Sequence, residues 1–368
     1  MRTRVTATGD STSLADRKRL AGQRMMIGFE GPSVGPDLDA VVREIRPGGY
    51  ILFGRNIVEP GQLRDLNDAL AQLRQPTAPP IRAVDQEGGR VQRLREPFAA
   101  SWPSARVVAR AEEHTHDVAR GIASELRAVG FDLDFAPVAD VDSNPANPVI
   151  GDRSFGRDPR EVARHVKTWV VAMQQEGIAA CAKHFPGHGD TSVDSHLELP
   201  IVERDERDLI ANELLPFQAA ISANVASIMS AHVVFPALDE GNPATLSPHV
   251  IPRLLRKRLG FDGLVFSDDL DMKAIAGRWD EDAIVAGTTA ATVDVLLACR
   301  DPLRQIALFE ALVRAQENDE AFQQACRTSV ARLDRVRLGL LRTPRPPLTR
   351  VGDRELRLVA DLVRLRGA

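Results

Sequence analysis

Three histidines and two aspartates lie within one short segment, Lys183-His-Phe-Pro-Gly-His-Gly-Asp-Thr-Ser-Val-Asp-Ser-His196. Asp194 and His196 are two positions apart, so in an extended loop their side chains point to the same side. A carboxylate in that place orients an imidazole and stabilises its protonated form. We interpret the two residues as a pair that donates and accepts a proton during a reaction.

Two other interpretations of this segment stay open. Histidine and aspartate are common metal ligands, so His184, His188 and His196 are alternative ligands for a metal-dependent hydrolase. The metal interpretation predicts that exhaustive chelation abolishes activity. The second alternative is that the segment is an exposed loop, whose residues are polar only because they face solvent.

A second motif, Gly263-Leu-Val-Phe-Ser-Asp268-Asp-Leu-Asp271, places carboxylates directly after an apolar run. A carboxylate that follows a buried strand in this way can act as a nucleophile toward an electrophilic carbon. The alternative is a helix N-cap, and Asp269 is the better candidate for that role. We therefore predict that Asp268 is the nucleophile.

A third motif, Ala83-Val-Asp85-Gln-Glu-Gly-Gly-Arg-Val-Gln-Arg93, brings a carboxylate and two arginines together around a Gly-Gly turn. Such groups suit a ligand that is rich in hydroxyls, because Asp85 can accept two hydrogen bonds at once. Further polar residues also follow apolar runs. They are Asp140, Arg153, Lys183, His184 and His232.

Eight short apolar runs alternate with segments of helical periodicity, which predicts a parallel sheet. The runs are Met25–Phe29, Gly49–Phe53, Ile81–Val84, Phe131–Pro137, Ile178–Ala182, Ala226–Ala231, Leu264–Ser267 and Val293–Ala298. Eight such units in about 275 residues fit an α/β fold of the (β/α)8 TIM-barrel type. A doubly wound open sheet is the alternative, but no G-x-G-x-x-G follows the first run. In a barrel, the reactive residues would meet at the carboxyl ends of the strands.

The domain organisation follows from this pattern. We predict a disordered N-terminus over residues 1–11, one barrel domain over 12–342 and a C-terminal tail over 343–368. The tail is expected to contain an amphipathic helix, Asp353–Leu365, that packs back on the barrel. The segment Gly277–Thr292 is expected to be irregular.

Composition restricts the partners and the compartment. The net charge is −4, so broad electrostatic attraction to nucleic acid or to an anionic membrane is not expected. The sequence shows neither a secretory signal nor an apolar stretch that is long enough to span a membrane. The three cysteines are far apart and lie in apolar surroundings, which is typical of a reducing compartment. We expect a cytoplasmic protein that is a monomer or a weak homodimer.

Taken together, these motifs resemble glycoside hydrolase family 3, and in particular its bacterial β-N-acetylglucosaminidase (β-hexosaminidase) branch. The resemblance runs from about Leu20 to Arg342. It is carried by Pro47-Gly-Gly-Tyr-Ile-Leu-Phe-Gly-Arg-Asn56, the Asp85–Arg93 motif, Gly151-Asp-Arg-Ser-Phe-Gly156, the Lys183–His196 segment and Ser267-Asp268-Asp269.

The resemblance implies a role for each matched residue. Asp268 would be the nucleophile and His196 the acid/base, with Asp194 as its partner. Asp85 would hold sugar hydroxyls. The terminal-sugar subsite would be lined by Arg93, Arg153, Lys183 and His184. Neither a metal nor an organic cofactor is implied.

The implied activity is that of a retaining exo-β-N-acetylglucosaminidase, which removes terminal β-linked N-acetylglucosamine through a covalent glycosyl-enzyme. The implied substrate is a cell-wall recycling fragment such as N-acetylglucosaminyl-anhydromuramoyl-peptide. A β-N-acetylglucosaminide phosphorylase or a broader β-glycosidase would use the same site, and a non-catalytic sugar-binding barrel is the alternative from another class.

Overall fold

Eight parallel strands close into a barrel in the computed structural model, which describes residues 13–73, 78–192, 198–340 and 344–367. The barrel strands are β1 (Met25–Ile27), β2 (Gly49–Leu52), β3 (Ile81–Val84), β4 (Leu133–Asp134), β5 (Ala179–Phe185), β6 (Ser227–Ser230), β9 (Leu264–Asp269) and β10 (Val295–Ala298), and between them lies an antiparallel pair, β7 (Val234–Phe235) and β8 (Asp239–Pro243). Around the barrel the order is β1-β10-β9-β6-β5-β4-β3-β2, so sequence neighbours pair and the last strand closes on the first. The predicted (β/α)8 fold is confirmed.

The barrel interior is filled by side chains rather than left as a pore. Apolar side chains point inward and form one buried cluster. Within it the rings of Phe135 and Phe266 pack edge to face, with their centroids 5.2 Å apart. A second and larger apolar layer lies between the strands and the surrounding helices. The two layers explain why the strands read as nearly continuous apolar runs, since both of their faces are buried.

Thirteen α-helices are present in the described part of the chain. They are α1 (Leu14–Gln23), α2 (Pro36–Ile45), α3 (Pro60–Gln72), α4 (Ala105–Arg110), α5 (Thr115–Ala128), α6 (Pro159–Gln175), α7 (Glu206–Asp208), α8 (Leu214–Ser222), α9 (Lys273–Ala276), α10 (Glu281–Ala290), α11 (Pro302–Ala315), α12 (Glu320–Leu340) and α13 (Arg354–Gly367). Local sequence sets several of their ends. Asp158 caps α6 by accepting a hydrogen bond from the Arg160 N–H, and Pro159 occupies the first turn. Gly130 follows α5 and Gly177 follows α6 with φ of 93° and 83°, the left-handed conformation that favours glycine after a helix.

One prediction about a helical segment is wrong. The segment expected to be irregular, Gly277–Thr292, contains the ten-residue helix α10, whose N-cap Asp280 accepts a hydrogen bond from the Ala283 N–H. Gly287, Thr288 and Thr289 have low helix propensity, but buried Ile284 and Val285 pack the helix against the core. A π-helix spans Ile251–Arg258.

The chain after the barrel also contributes a helix. The side chains of Leu356, Ala360 and Val363 on α13 are buried, and the Arg110 guanidinium on α4 donates a hydrogen bond to the Gly367 carbonyl. Residues 1–11, predicted to be disordered, lie outside the described ranges. In the described part of the chain no helix has the length and apolar character that crossing a membrane requires.

Candidate active site

A cavity of about 660 Å³ opens at the carboxyl ends of the barrel strands. Its lining includes all six predicted site residues that the structure describes. They are Asp85, Arg93, Arg153, Lys183, His184 and Asp268. They come from the ends of β5 and β9 and from the connections after β3 and β4, so the barrel brings together residues that are far apart in the sequence.

Asp268 lies at the end of β9, on the strand itself rather than after it as the sequence predicted. One of its carboxylate oxygens accepts a hydrogen bond of 2.8 Å from the Asp269 N–H. Burial alone would raise the pKa of Asp268, but the nearby His184 and His232, this backbone N–H and Lys183 lower it to about 2. The carboxylate is therefore ionised at neutral pH, as a nucleophile must be.

Asp269 does not cap a helix, contrary to the prediction. Its Oδ1 accepts hydrogen bonds from the N–H groups of Asp271 and Cys299, and the helix that follows, α9, has Met272 at its N-cap. Burial, together with the charges of Asp271 and Asp268, raises the pKa of Asp269 to about 6. The two neighbouring carboxylates thus have different surroundings, and Asp269 serves to fix the turn after β9.

The polar wall opposite this strand is a network of alternating charges. The Lys183 ammonium lies 2.9 Å from Asp85 Oδ1 and 2.6 Å from Glu87 Oε1. The Arg153 guanidinium donates two hydrogen bonds of 2.8 Å to Glu87. Arg93 is more loosely attached, with Nη2 3.5 Å from Asp85 Oδ2. Each hydrogen-bonded cation is held in place by a carboxylate, which fixes the donors that face the cavity.

Glu87 is the residue of this network that sequence reasoning missed. Burial would raise its pKa, but Arg153 and Lys183 hold the pKa of Glu87 well below its usual range. Burial opposes the charged forms of the two cations, but Glu87 raises the pKa of Arg153, and Asp85 together with Glu87 raises the pKa of Lys183. Glu87 was visible two positions after Asp85, on the same side of an extended chain, and that spacing was the available signal.

Two histidines line the cavity close to each other, with ring centroids 5.7 Å apart. His184 Nδ1 lies 2.7 Å from Asp140 Oδ2, so the Nδ1–H group donates a hydrogen bond to the carboxylate. Nε2 is then the nitrogen that can contact a ligand. His188 Nδ1 lies 3.0 Å from the Thr191 hydroxyl. Burial and the neighbouring His184 lower the pKa of His188 to about 4, so this ring is neutral at pH 7.

The predicted acid/base pair, Asp194 and His196, lies outside the described residues. Among the residues that are described, no group of three or more histidine, cysteine, aspartate or glutamate side chains is arranged to hold a metal ion. The described cavity can bind a polyhydroxylated ligand through its ordered cations and carboxylates. It can also present the ionised carboxylate of Asp268 to that ligand.

Comparisons with known proteins agree with this geometry. Residues 22–336 match the family model described as the glycosyl hydrolase family 3 N terminal domain. The β-hexosaminidase of Methylococcus capsulatus is 41% identical over 313 residues, which cover 83% of this chain and 91% of that protein. A family 3 β-N-acetylglucosaminidase from Paenibacillus sp. superposes with a TM-score of 0.89 at 36% identity, covering 95% of this chain and 68% of the other. NagZ from Neisseria gonorrhoeae, solved with N-trifluoroacetyl-D-glucosamine, gives a TM-score of 0.76 at 30% identity, covering 94% and 98%.

Proposed function

This chain belongs to glycosyl hydrolase family 3, and from that membership we propose that it is an exo-acting β-N-acetylglucosaminidase with a retaining mechanism. The observation that supports this most directly is Asp268. Its carboxylate lines the cavity and has a pKa of about 2, among groups that can bind sugar hydroxyls. The relatives that carry the name β-hexosaminidase support the same activity.

The terminal sugar is proposed to bind against the charged network. Asp85 can accept hydrogen bonds from two adjacent hydroxyls, and Lys183, Arg153 and Arg93 can donate to sugar oxygens. His184 can add a contact through Nε2, since Asp140 already occupies Nδ1. Because Glu87 and Asp85 hold the cations before any ligand arrives, little side-chain ordering remains to be paid for on binding.

The proposed reaction has two steps. Asp268 attacks the anomeric carbon while the bond to the leaving oxygen breaks, and His196 gives that oxygen its proton. In the second step water attacks the same carbon and transfers a proton to His196, which releases Asp268 and a sugar with retained β configuration. Asp194 is proposed to orient the imidazole and to favour its protonated form.

Cationic side chains of the cavity support an anionic leaving group. Besides Lys183, Arg153 and Arg93, the lining contains Arg55, Lys273 and Arg300, together with the carboxylates of Asp269 and Asp271. The Arg55 guanidinium lies 4.4 Å from the centroid of the Phe53 ring, which is a cation–π contact. A carboxylate-bearing muramoyl-peptide fits this chemistry, so we propose cell-wall recycling fragments as the natural substrate.

A cytoplasmic location is part of the proposal. The three cysteines, Cys181, Cys299 and Cys326, are buried and free, as expected in a reducing compartment. Fractionation of the source cells would test it.

The decisive experiment compares aryl β-glycosides that differ only at the sugar 2-position. We expect β-N-acetylglucosaminides to be cleaved far faster than β-glucosides, with β-N-acetylglucosamine released first. Equal kcat/KM for the two would contradict the proposed specificity. Running the reaction with and without inorganic phosphate identifies the acceptor, because a sugar phosphate product would show a phosphorylase instead. The D268N protein, prepared in parallel, controls for contaminating glycosidases.

A further inference from the structure

We propose that the C-terminal tail, residues 344–367, positions Arg93 in the terminal-sugar subsite by holding the connection after β3, residues 85–104, in place. This role rests on the function proposed above and deepens it, because it gives the tail a part in sugar binding. The cavity lining contains none of these described tail residues. The tail therefore acts through the connection that it contacts.

Arg93 is a cation of the sugar-binding wall whose side chain is only loosely fixed. The Lys183 ammonium, by comparison, lies 2.6 Å from Glu87 and 2.9 Å from Asp85. Arg93 Nη2 is 3.5 Å from Asp85, and its guanidinium carbon lies 5.7 Å from the centroid of the Phe53 ring. Its buried Nε has no hydrogen-bond partner among the described residues. The place of this guanidinium therefore depends mainly on the backbone that carries it.

Two buried glutamines fix that backbone. Gln86 Oε1 accepts hydrogen bonds of 2.7 Å from the Arg93 N–H and 3.0 Å from the Leu94 N–H. The Leu94 carbonyl accepts one of 3.0 Å from Gln86 Nε2 and one of 2.6 Å from Gln92 Nε2. Both glutamine side chains are buried, so water does not compete for these bonds. The two amides thus set the position of Arg93.

Gln92 also ties Arg93 to the far end of the connection. Its Nε2 donates a second hydrogen bond, of 2.7 Å, to the Ala100 carbonyl, and its Oε1 accepts one of 3.1 Å from the Trp102 N–H. Glu125 on α5 holds the same two residues. Its carboxylate accepts hydrogen bonds of 2.9 Å from the Ala100 N–H and 2.8 Å from the Trp102 indole N–H.

The tail contacts this end of the connection directly. The Gly352 N–H donates a 2.7 Å hydrogen bond to Glu125 Oε1. The Arg357 guanidinium donates hydrogen bonds of 2.6 Å and 3.2 Å to the carbonyls of Pro97 and Phe98. Gly352 has a φ of 63°, and a Cβ there would lie 1.9 Å from the Phe98 carbonyl oxygen. The tail and the connection are therefore packed together without room for a side chain at this point.

The continuous set of hydrogen bonds from Gly352 to Arg93 matters because a binding site works only when its donors are held close to their productive geometry. A tolerance of about 0.5 Å is typical, and supporting residues outside the site maintain it. Arg93 has few side-chain contacts of its own, so loosening the connection should weaken its contact with the sugar.

The test measures coupling between this support and Arg93 with a double-mutant cycle. Q92E keeps the acceptor for Trp102 but loses both donors, and R357A removes the hydrogen bonds from the tail to Pro97 and Phe98. We expect kcat/KM for an aryl β-N-acetylglucosaminide to fall roughly 10-fold in Q92E and about 3-fold in R357A. R93A itself should lose roughly 10- to 100-fold, because a charged hydrogen-bond donor is lost. In the R93A background, Q92E and R357A should have almost no further effect.

Two variants serve as matched controls. Gln316 is also buried, and its Nε2 also donates to two backbone carbonyls, so Q316E makes the same chemical change elsewhere. Arg364 lies on α13 as Arg357 does, but it pairs with an aspartate of its own helix, so R364A removes a comparable arginine. In the described part of the chain neither side chain forms a hydrogen bond with the connection after β3. Both variants should keep the parent kcat/KM.

Losses in Q92E and R357A that disappear in the R93A background support the proposal. Losses by the same factor in both backgrounds overturn it, because a smaller folded or active fraction acts in that way. Unchanged kcat/KM in R357A also overturns the role of the tail. Arg357 is only half-buried, so R357A should fold and decide the question even where Q92E does not fold.

The Kd of N-acetylglucosamine, measured by calorimetry on the same proteins, gives the same cycle without turnover. If the parent binds this sugar but cleaves no aryl β-N-acetylglucosaminide, the proposed function fails. The cycle in Kd then still decides whether the tail positions Arg93. A parent that neither binds the sugar nor cleaves the glycoside would overturn both.

Discussion

Asp140 Oδ2 lies 2.7 Å from His184 Nδ1, and Oδ1 of the same carboxylate accepts hydrogen bonds from the backbone N–H groups of His184 and His188. A single buried side chain therefore fixes both the ring of His184 and the turn that follows β5. It fixes the tautomer as well, since a carboxylate only accepts at this position.

We predict that D140N lowers kcat/KM by roughly 10- to 100-fold, because a hydrogen bond to a charged group contributes about 1.5–3 kcal/mol. In this variant Oδ1 can still accept hydrogen bonds from the backbone N–H groups of His184 and His188. The new NH₂ group, however, cannot accept a hydrogen bond from His184 Nδ1–H. D142N is the control from the same connection. Asp142 is paired with Arg106 and Arg157 instead, so it should affect stability more than turnover. Equal kinetic losses in the two variants would contradict the prediction.

The nucleophile is tested by covalent labelling. D268N should lose turnover on the order of 1000-fold or more, because covalent catalysis is lost. A mechanism-based fluorinated glycoside should label Asp268 in the parent protein, and peptide mass mapping would locate the label. D269N, which changes the neighbouring carboxylate, should lose far less. Labelling at another residue, or near-native turnover by D268N, would refute the assignment.

The acid/base role predicts a specific kinetic signature for H196A. With a dinitrophenyl substrate the glycosyl-enzyme should still form, but no base remains to activate water. The second step then limits turnover, so a burst of dinitrophenolate should appear. Added azide should speed turnover by attacking the intermediate directly. D194N should show a milder version, since the imidazole remains without its partner. Absence of both the burst and the azide effect would assign His196 a purely structural role.

The barrel was predictable because its signals are local and repeated. The run Ile81–Val84 coincides with β3, and other runs differ from the strands only at their ends. The sequence pattern placed the carboxyl ends of strands too early where polar residues continue the strand. Lys183 and His184 belong to β5, and Asp268 to β9, although polar side chains usually mark the end of a buried strand. Here barrel pairing and the contacts of those side chains outweigh the local preference.

Six of the eight predicted site residues line one cavity, but the pairings among its side chains were not predictable. Motif positions identified Asp85, Arg153 and Lys183, which the structure brings together in one wall. Glu87 fixes Arg153 and Asp140 fixes His184, yet nothing in one sequence tells which side chains meet at sequence separations of 66 and 44. Such pairings are set by the closure of the barrel, which is a tertiary property.

The last prediction concerns Asp134, a carboxyl that the proposed reaction does not use. It lies on β4 with no exposed surface, and Oδ1 accepts a hydrogen bond from the Gln86 N–H, while Oδ2 has no hydrogen-bond partner among the described residues. Burial raises the pKa of Asp134 to about 8, with Asp85 and Glu87 adding to the rise and Lys183 opposing it. The folded protein therefore keeps this proton at neutral pH, whereas the unfolded chain loses it near pH 4.

Because only the unfolded state ionises between these values, Asp134 should make the folded state progressively less stable as the pH rises from about 4 to about 8. D134N removes this titration while keeping the acceptor for Gln86. The free energy of unfolding of D134N should thus exceed that of the parent by more at pH 8 than at pH 5. The excess should grow by at least about 1.4 kcal/mol, which corresponds to one pKa unit. Urea unfolding at the two pH values measures it. E213Q should behave in the same direction, since burial also raises the pKa of Glu213 to about 8. A pH-independent difference between D134N and the parent would show that Asp134 is ionised in the folded protein.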